Sequence, residues 1–132
     1  MTGSPAESSA AAEVRALIAR GSGRNWAATV PGAEDPRLRP RLLPMPAEQA
    51  ADAVIRAIAG LRGWRLAGRE GPVLRATRTT RLFRFVDDVL LLLEPVPEGT
   101  RIQARSASRV GRGDLGQNRR NLAELWRALG LG

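Results

Sequence analysis

The sequence predicts one α+β domain, a two-layer sandwich with a four-stranded antiparallel sheet and two helices packed on one face. Three observations lead there. Ala47, Ala50, Ala51, Val54, Ile55, Ile58 and Leu61 recur at helical spacing. Four short runs of apolar and polar residues follow, separated by Gly- and Pro-containing turns. A second helical pattern closes the chain, with Leu122, Leu125 and Leu129 on one side.

In chain order, residues 1–24 form a flexible N-terminal segment. Residues 13–20 within it make a short, loosely attached helix before Gly21-Ser22-Gly23. The domain spans 25–132 and begins with a short docked segment anchored by Trp26. Five prolines between 31 and 46 forbid a helix interior or central strand there, so this stretch is an extended connector pinned by Leu38, Leu42 and Leu43. The first helix covers 47–61. Strands are expected over 63–68, 73–79, 82–94 and 100–110. The last helix starts near Asp114, which with Gln117 forms a capping-box pair, and buries Leu115, Asn118, Leu122, Leu125 and Leu129 beside Trp126. Trp26, Trp64 and Trp126 read as core anchors rather than a stacking platform.

The chain of 132 residues has neither Cys nor His. That removes disulfides, thiol nucleophiles, imidazole bases and thiolate or imidazole metal sites, and no cofactor or metal is expected. No Gly-rich phosphate loop of a common pattern is present. All 21 basic residues are Arg against 13 acids, a net charge of +8. The excess is diffuse, without a block of like charge, so nucleic acid is a possible but unfavoured partner. No run reaches the length of a membrane span, and no signal peptide is recognisable, which predicts a cytoplasmic protein.

The informative residues lie in two polar blocks, 81–89 and 104–111, the second leading into 113–120. Charges inside strands need partners. Strand alternation places Asp87 with Ser106 and Ser108 on the helix-facing side, and Asp88 with Arg84, Arg105 and Arg109 on the other. Asp87, Ser106, Ser108, Asp114 and Asn118 then form a structural polar lock. Arg84, Asp88, Arg105, Arg109 and Arg119 are the candidate anion site, because guanidinium forks recognise carboxylate and phosphate. The simpler reading of Asp88 and its arginines is a cross-strand charge ladder. Asp87 and Asp88 cannot act as a catalytic pair, since neighbours on a strand point to opposite faces.

The runs 83–89 (FRFVDDV) and 105–120 (RSASRVGRGDLGQNRR) closely resemble the hallmark segments of a bacterial and plastid family, domain of unknown function 1499. Asn25-Trp26-Ala27-Ala28-Thr29 is a weaker third match. Many members resemble exported, lipid-anchored or membrane-attached proteins, whereas this chain shows no such leader. Leu90 stands where the family often has Glu, and Ala27-Ala28 replaces small hydroxyl residues. Both departures remove polar groups and favour binding over catalysis. The expected function is a small accessory module that binds an anionic ligand or partner through an Arg-rich sheet face. The alternatives are nonspecific nucleic-acid binding and a hydrolase or transferase using Asp87.

Overall fold

The computed structural model describes residues 8–111 and 113–132. Along the chain come α1 (Ser9–Ala19), β1 (Trp26–Ala28), a 3-10 turn (Pro36–Leu38), β2 (Arg41–Leu43) and α2 (Ala47–Gly60). Then follow β3 (Trp64–Glu70), β4 (Val73–Thr79), β5 (Val86–Val96), β6 (Gly99–Ser108) and α3 (Gln117–Ala128). The sheet runs β1-β6-β5-β4-β3 with β2 also paired to β6, and every pairing is antiparallel. The class is mixed α+β, but the expected four strands and two helices are corrected to six strands and three helices.

The two unexpected strands have three residues each, too short to show an alternating pattern. They lie one after the other along the same edge of β6. Trp26–Ala28 pairs with Ala107, Ser106 and Arg105, and Arg41–Leu43 with Ile102, Arg101 and Thr100. An edge is where a strand within a proline-rich stretch is tolerated, because one side needs no ladder. The opposite edge is β3, bulged between Leu66 and Gly68.

The third helix is α1, which starts at Ser9 rather than at the expected residue 13. Ser8 accepts a hydrogen bond from Ala11 N–H at 3.1 Å and caps it. Ala10, Ala11, Val14 and Ile18 are buried against Ala28, Val73, Leu92 and the partly buried Leu90. The opposite face carries the main core, where Leu74, Ala76, Val89, Leu91, Leu93, Ile102 and Ala104 meet α2 and α3. Helices therefore lie on both faces of the sheet, α1 on one and the other two opposite. Residues 1–7, part of the expected flexible segment, lie outside the described residues.

Three local corrections bear on function. The long strand begins at Val86, not at residue 82. Residues 80–85 instead fold into a loop closed by Thr80 N–H to Phe85 O (2.8 Å) and Phe85 N–H to Thr80 Oγ1 (2.9 Å). Arg84 sits at φ 58°, the left-handed region that costs a non-Gly residue about 1 kcal/mol or more. Second, α3 begins only at Gln117, after Gly116 at φ 81°, and Leu115 (φ 51°) is 93% exposed rather than in the buried stripe. The stripe is Asn118, Asn121, Leu122, Leu125 and Trp126. Third, Leu42 is exposed, so of the three expected leucines Leu38 and Leu43 pin the connector, helped by Ala33 and Met45.

Candidate functional site

Register places a polar row across one end of the sheet on its main-core face. Trp64 pairs with Arg78, Arg78 with Asp87, and Asp87 with Ser108. Two residues further in, the row is Leu66, Ala76, Val89 and Ser106, which is apolar except for the serine. Core thus gives way to polar chemistry over a single side-chain step on each strand. The first turns of α3 lie over this end and supply Gln117, Asn118, Asn121 and Glu124.

The contacts between them are dense. Asn121 Nδ2 donates to Asp87 Oδ2 (2.8 Å) and Ser106 Oγ (3.1 Å), and Gln117 Nε2 donates to Asn121 Oδ1 (2.7 Å). Ser106 Oγ donates to Asn118 Oδ1 (2.7 Å). Asn118 Nδ2 points at Ser108 Oγ (2.9 Å), Asp114 Oδ2 (2.7 Å) and Asn25 O (3.0 Å). Asp114 also accepts from the N–H groups of Gly116 (2.8 Å) and Asn118 (3.3 Å), so it fixes the start of α3. Arg78 reaches Glu124 at 3.4 Å, and Glu124 also accepts from Trp64 Nε1. Asp87, Ser106, Asp114 and Asn118 are joined through these bonds by way of Asn121, and Ser108 joins through Asn118.

Asp87 is 2% exposed. Burial raises its carboxyl pKa above the ordinary 3.8, although hydrogen bonds from Asn121 and Ser108 and the nearby Arg78 charge work the other way. The five residues of the candidate anion site are not brought together. Arg109 binds Asp88 through two 2.9 Å bonds on the exposed face, which raises the Arg109 pKa. Arg105 is half-buried with its guanidinium 5.7 Å from the Trp26 ring, and Arg20 lies 5.6 Å from the same ring. Burial, with the like charge of Arg20, lowers the Arg105 pKa. Arg119 bonds Asp35 at 2.9 Å, tying α3 to the 3-10 turn, and Arg37 also grips Asp35 and drives its carboxyl far below the usual range.

Arg84 and Arg109 do meet, in a cleft of about 910 Å³ at the polar end of the sheet. Its other arginines are Arg62, Arg65, Arg78 and Arg81, and Glu124 is its one acid among the described residues. Among the described residues Arg62, Arg65, Arg81 and Arg84 make no ion pair or side-chain hydrogen bond. A smaller pocket of about 410 Å³ adjoins it, sharing Arg78, Thr80 and Arg81. Asp87, Ser108 and Gln117 line this pocket together with Phe83, Phe85 and Leu115. Sequence reasoning missed Arg62, Arg65, Arg78 and Arg81, and also Gln117 and Asn121 as network members. The cross-strand position of Arg78 was available from the register, since it faces Asp87. Arg81 depends on how the 80–85 loop turns, and the others on how β3 and α3 are placed at this end of the sheet.

The sequence profile of the family described as protein of unknown function (DUF1499) matches residues 3–129. The chain belongs to this family. In this DUF1499 member the runs 83–89 and 105–120 meet at one site. The first run supplies Phe83, Arg84, Phe85, Asp87 and Asp88, and the second supplies Ser106, Ser108, Asp114 and Asn118. No curated protein sequence matches. Among solved structures, the crystal structure of TTHA0849 from Thermus thermophilus is similar at 14% identity and a TM-score of 0.35. The match covers 68% of this chain and 90% of that one. No helix among the described residues is long and apolar enough to cross a membrane. Nor does any group of three acidic side chains there lie together as metal ligands would.

Proposed function

We propose that this DUF1499 domain is a non-catalytic binding module for an anionic ligand, held in the arginine-lined cleft. One observation carries the reading: four guanidiniums line one cleft with no carboxylate partner among the described residues. Like charges gathered without counterions oppose folding, and an anion that chelates several of them relieves the repulsion. The arginine forks suit phosphate or carboxylate oxygens better than a lysine's point charge would. Arg84 and Arg109 keep their expected place in this reading. Arg105 and Arg119 serve structure instead, through Trp26 and Asp35.

The test is thermal stability with added pyrophosphate, against sodium chloride matched in ionic strength. Parent protein gains several degrees in Tm at saturating pyrophosphate, and the Arg81→Ser/Arg84→Ser variant gains none. Both arginines are exposed on a loop, so their loss leaves the fold intact. An equal gain in parent and variant sinks the proposal, as does no gain over sodium chloride. Tight binding of any single-stranded oligonucleotide, falling steeply with salt, would transfer the cleft to the nucleic-acid alternative. Arg105 is the wrong probe, because its removal strips packing from Trp26.

A further inference from the structure

The pocket that adjoins the arginine cleft has a composition unlike its neighbour. At its mouth stand Leu82, Phe83 and Leu115, which are 80%, 68% and 93% exposed. Large apolar side chains this open to water are unfavourable, and here they cluster rather than scatter. Phe83 and Phe85 stack with ring centroids 5.5 Å apart and planes at 20°. At the far end, Asp87, Ser108 and Gln117 present hydrogen-bonding groups. A volume of about 410 Å³ that combines these apolar side chains with Arg81, Asp114 and Arg120 is that of a small-molecule site.

Backbone geometry gives an independent sign. The described residues contain two non-glycine positions at positive φ, Arg84 and Leu115, and they stand on the two segments that flank this pocket. Strain of this kind persists only where the surroundings enforce it, and it gathers at ligand sites. At Arg84 its effect is visible. The loop sends Arg84 to the arginine cleft while Phe83 and Phe85, on either side of it, line the apolar pocket.

We propose that this pocket receives the apolar body of the same ligand whose acidic head lies in the arginine cleft, so that the ligand is an amphiphilic acid, a phosphate or carboxylate joined to a short chain or ring. This rests on the anion reading above. The direction of the ligand follows from charge. The guanidiniums of Arg62, Arg65 and Arg84, unpaired among the described residues, lie on the cleft side and Arg81 lines both depressions, so the head is left where the two meet. A hydroxyl or amide on the apolar body would complete the polar floor at Asp87 and Ser108.

The experiment compares methyl phosphate with hexyl phosphate by titration calorimetry. Burying several methylenes gives hexyl phosphate at least about tenfold higher affinity. Phe83→Ala/Phe85→Ala abolishes that advantage, bringing hexyl phosphate down to the affinity of methyl phosphate for the same variant. Leu115→Ser, at a residue nearly free of packing, reduces the advantage without threatening the fold. Arg81→Ser/Arg84→Ser weakens both ligands. Equal affinities for the two phosphates overturn the proposal while the anion cleft stands. Hexanol binding as tightly as hexyl phosphate, indifferent to Arg81 and Arg84, overturns the acidic head and the proposed function with it. Equal affinities together with sedimentation on phosphatidylglycerol vesicles would overturn it in favour of a loop that dips into a bilayer.

Discussion

Asp87 carries the clearest pH signature of any residue in the candidate site. Its folded pKa lies above the unfolded value of 3.8, chiefly through burial, so the native state holds the proton after the unfolded chain has released it. Stability contributed this way is present below the unfolded pKa and is lost as pH rises through the folded one. Asp87→Asn keeps an acceptor for Asn121 and removes the ionisation. We expect its unfolding free energy to be flatter than the parent's as pH rises above the unfolded value of 3.8, with no loss at neutral pH. A variant that keeps the parent's slope in urea titrations would exonerate Asp87 as its source. Placement of Asp87 with Ser106 and Ser108 was legible from strand parity alone, because a one-residue slip would bury Arg105 and Asp88. Its link to α3 through Asn121 was not, since Asn121 reads as an ordinary polar position on a helix.

At the scale of elements, α2 and the hairpins are plain in the residue pattern, and α1 is poorly marked. The reason lies in Leu90-Leu91-Leu92-Leu93, a run without alternation. Such a run marks a strand buried on both faces, and Leu92 is packed under α1 while Leu91 and Leu93 face α2 and α3. Glu94 completes that docking. It accepts hydrogen bonds from Arg15 of α1 and from Arg101 (3.0 Å) and Gln103 (2.6 Å) of β6. Burial alone would raise its pKa, but these bonds outweigh it and leave the carboxyl below 4.5. Its contribution therefore has the opposite sign to that of Asp87: present above the unfolded pKa and lost as pH falls through the folded one. Glu94→Gln should lower stability by about 1–2 kcal/mol at pH 7 and by little at pH 3. Chemical denaturation at the two pH values measures this. The 80–85 loop reads as strand because its aromatic residues have high strand propensity. The bonds between Thr80 and Phe85 and the turn at Arg84 override that preference.

For the molecule as a whole, polarity is divided along the strands, with a closed apolar core towards one end and the two adjoining depressions at the other. The cleft draws its arginines from before β3, from β3 and β4, from the 80–85 loop and from the residue after β6, and no local pattern could have assembled them. Net charge of +8 adds a self-repulsion concentrated there. Sodium chloride near roughly 0.3 M, which screens exposed charges beyond several ångströms, should raise the Tm of the parent more than that of Arg81→Ser/Arg84→Ser. Scanning calorimetry distinguishes this from a uniform salt effect. The bulged strand β3 forms one margin of the sheet. An uncovered strand is a template on which another chain can nucleate a shared ladder, and from there a fibril. The kink between Leu66 and Gly68 breaks that template, and Arg65, which has no ion pair among the described residues, gives two approaching copies the same charge, whereas Arg69 is paired with Glu48. The arginines near this border thus have a second consequence, colloidal rather than chemical: their like charge opposes edge-to-edge pairing of two copies.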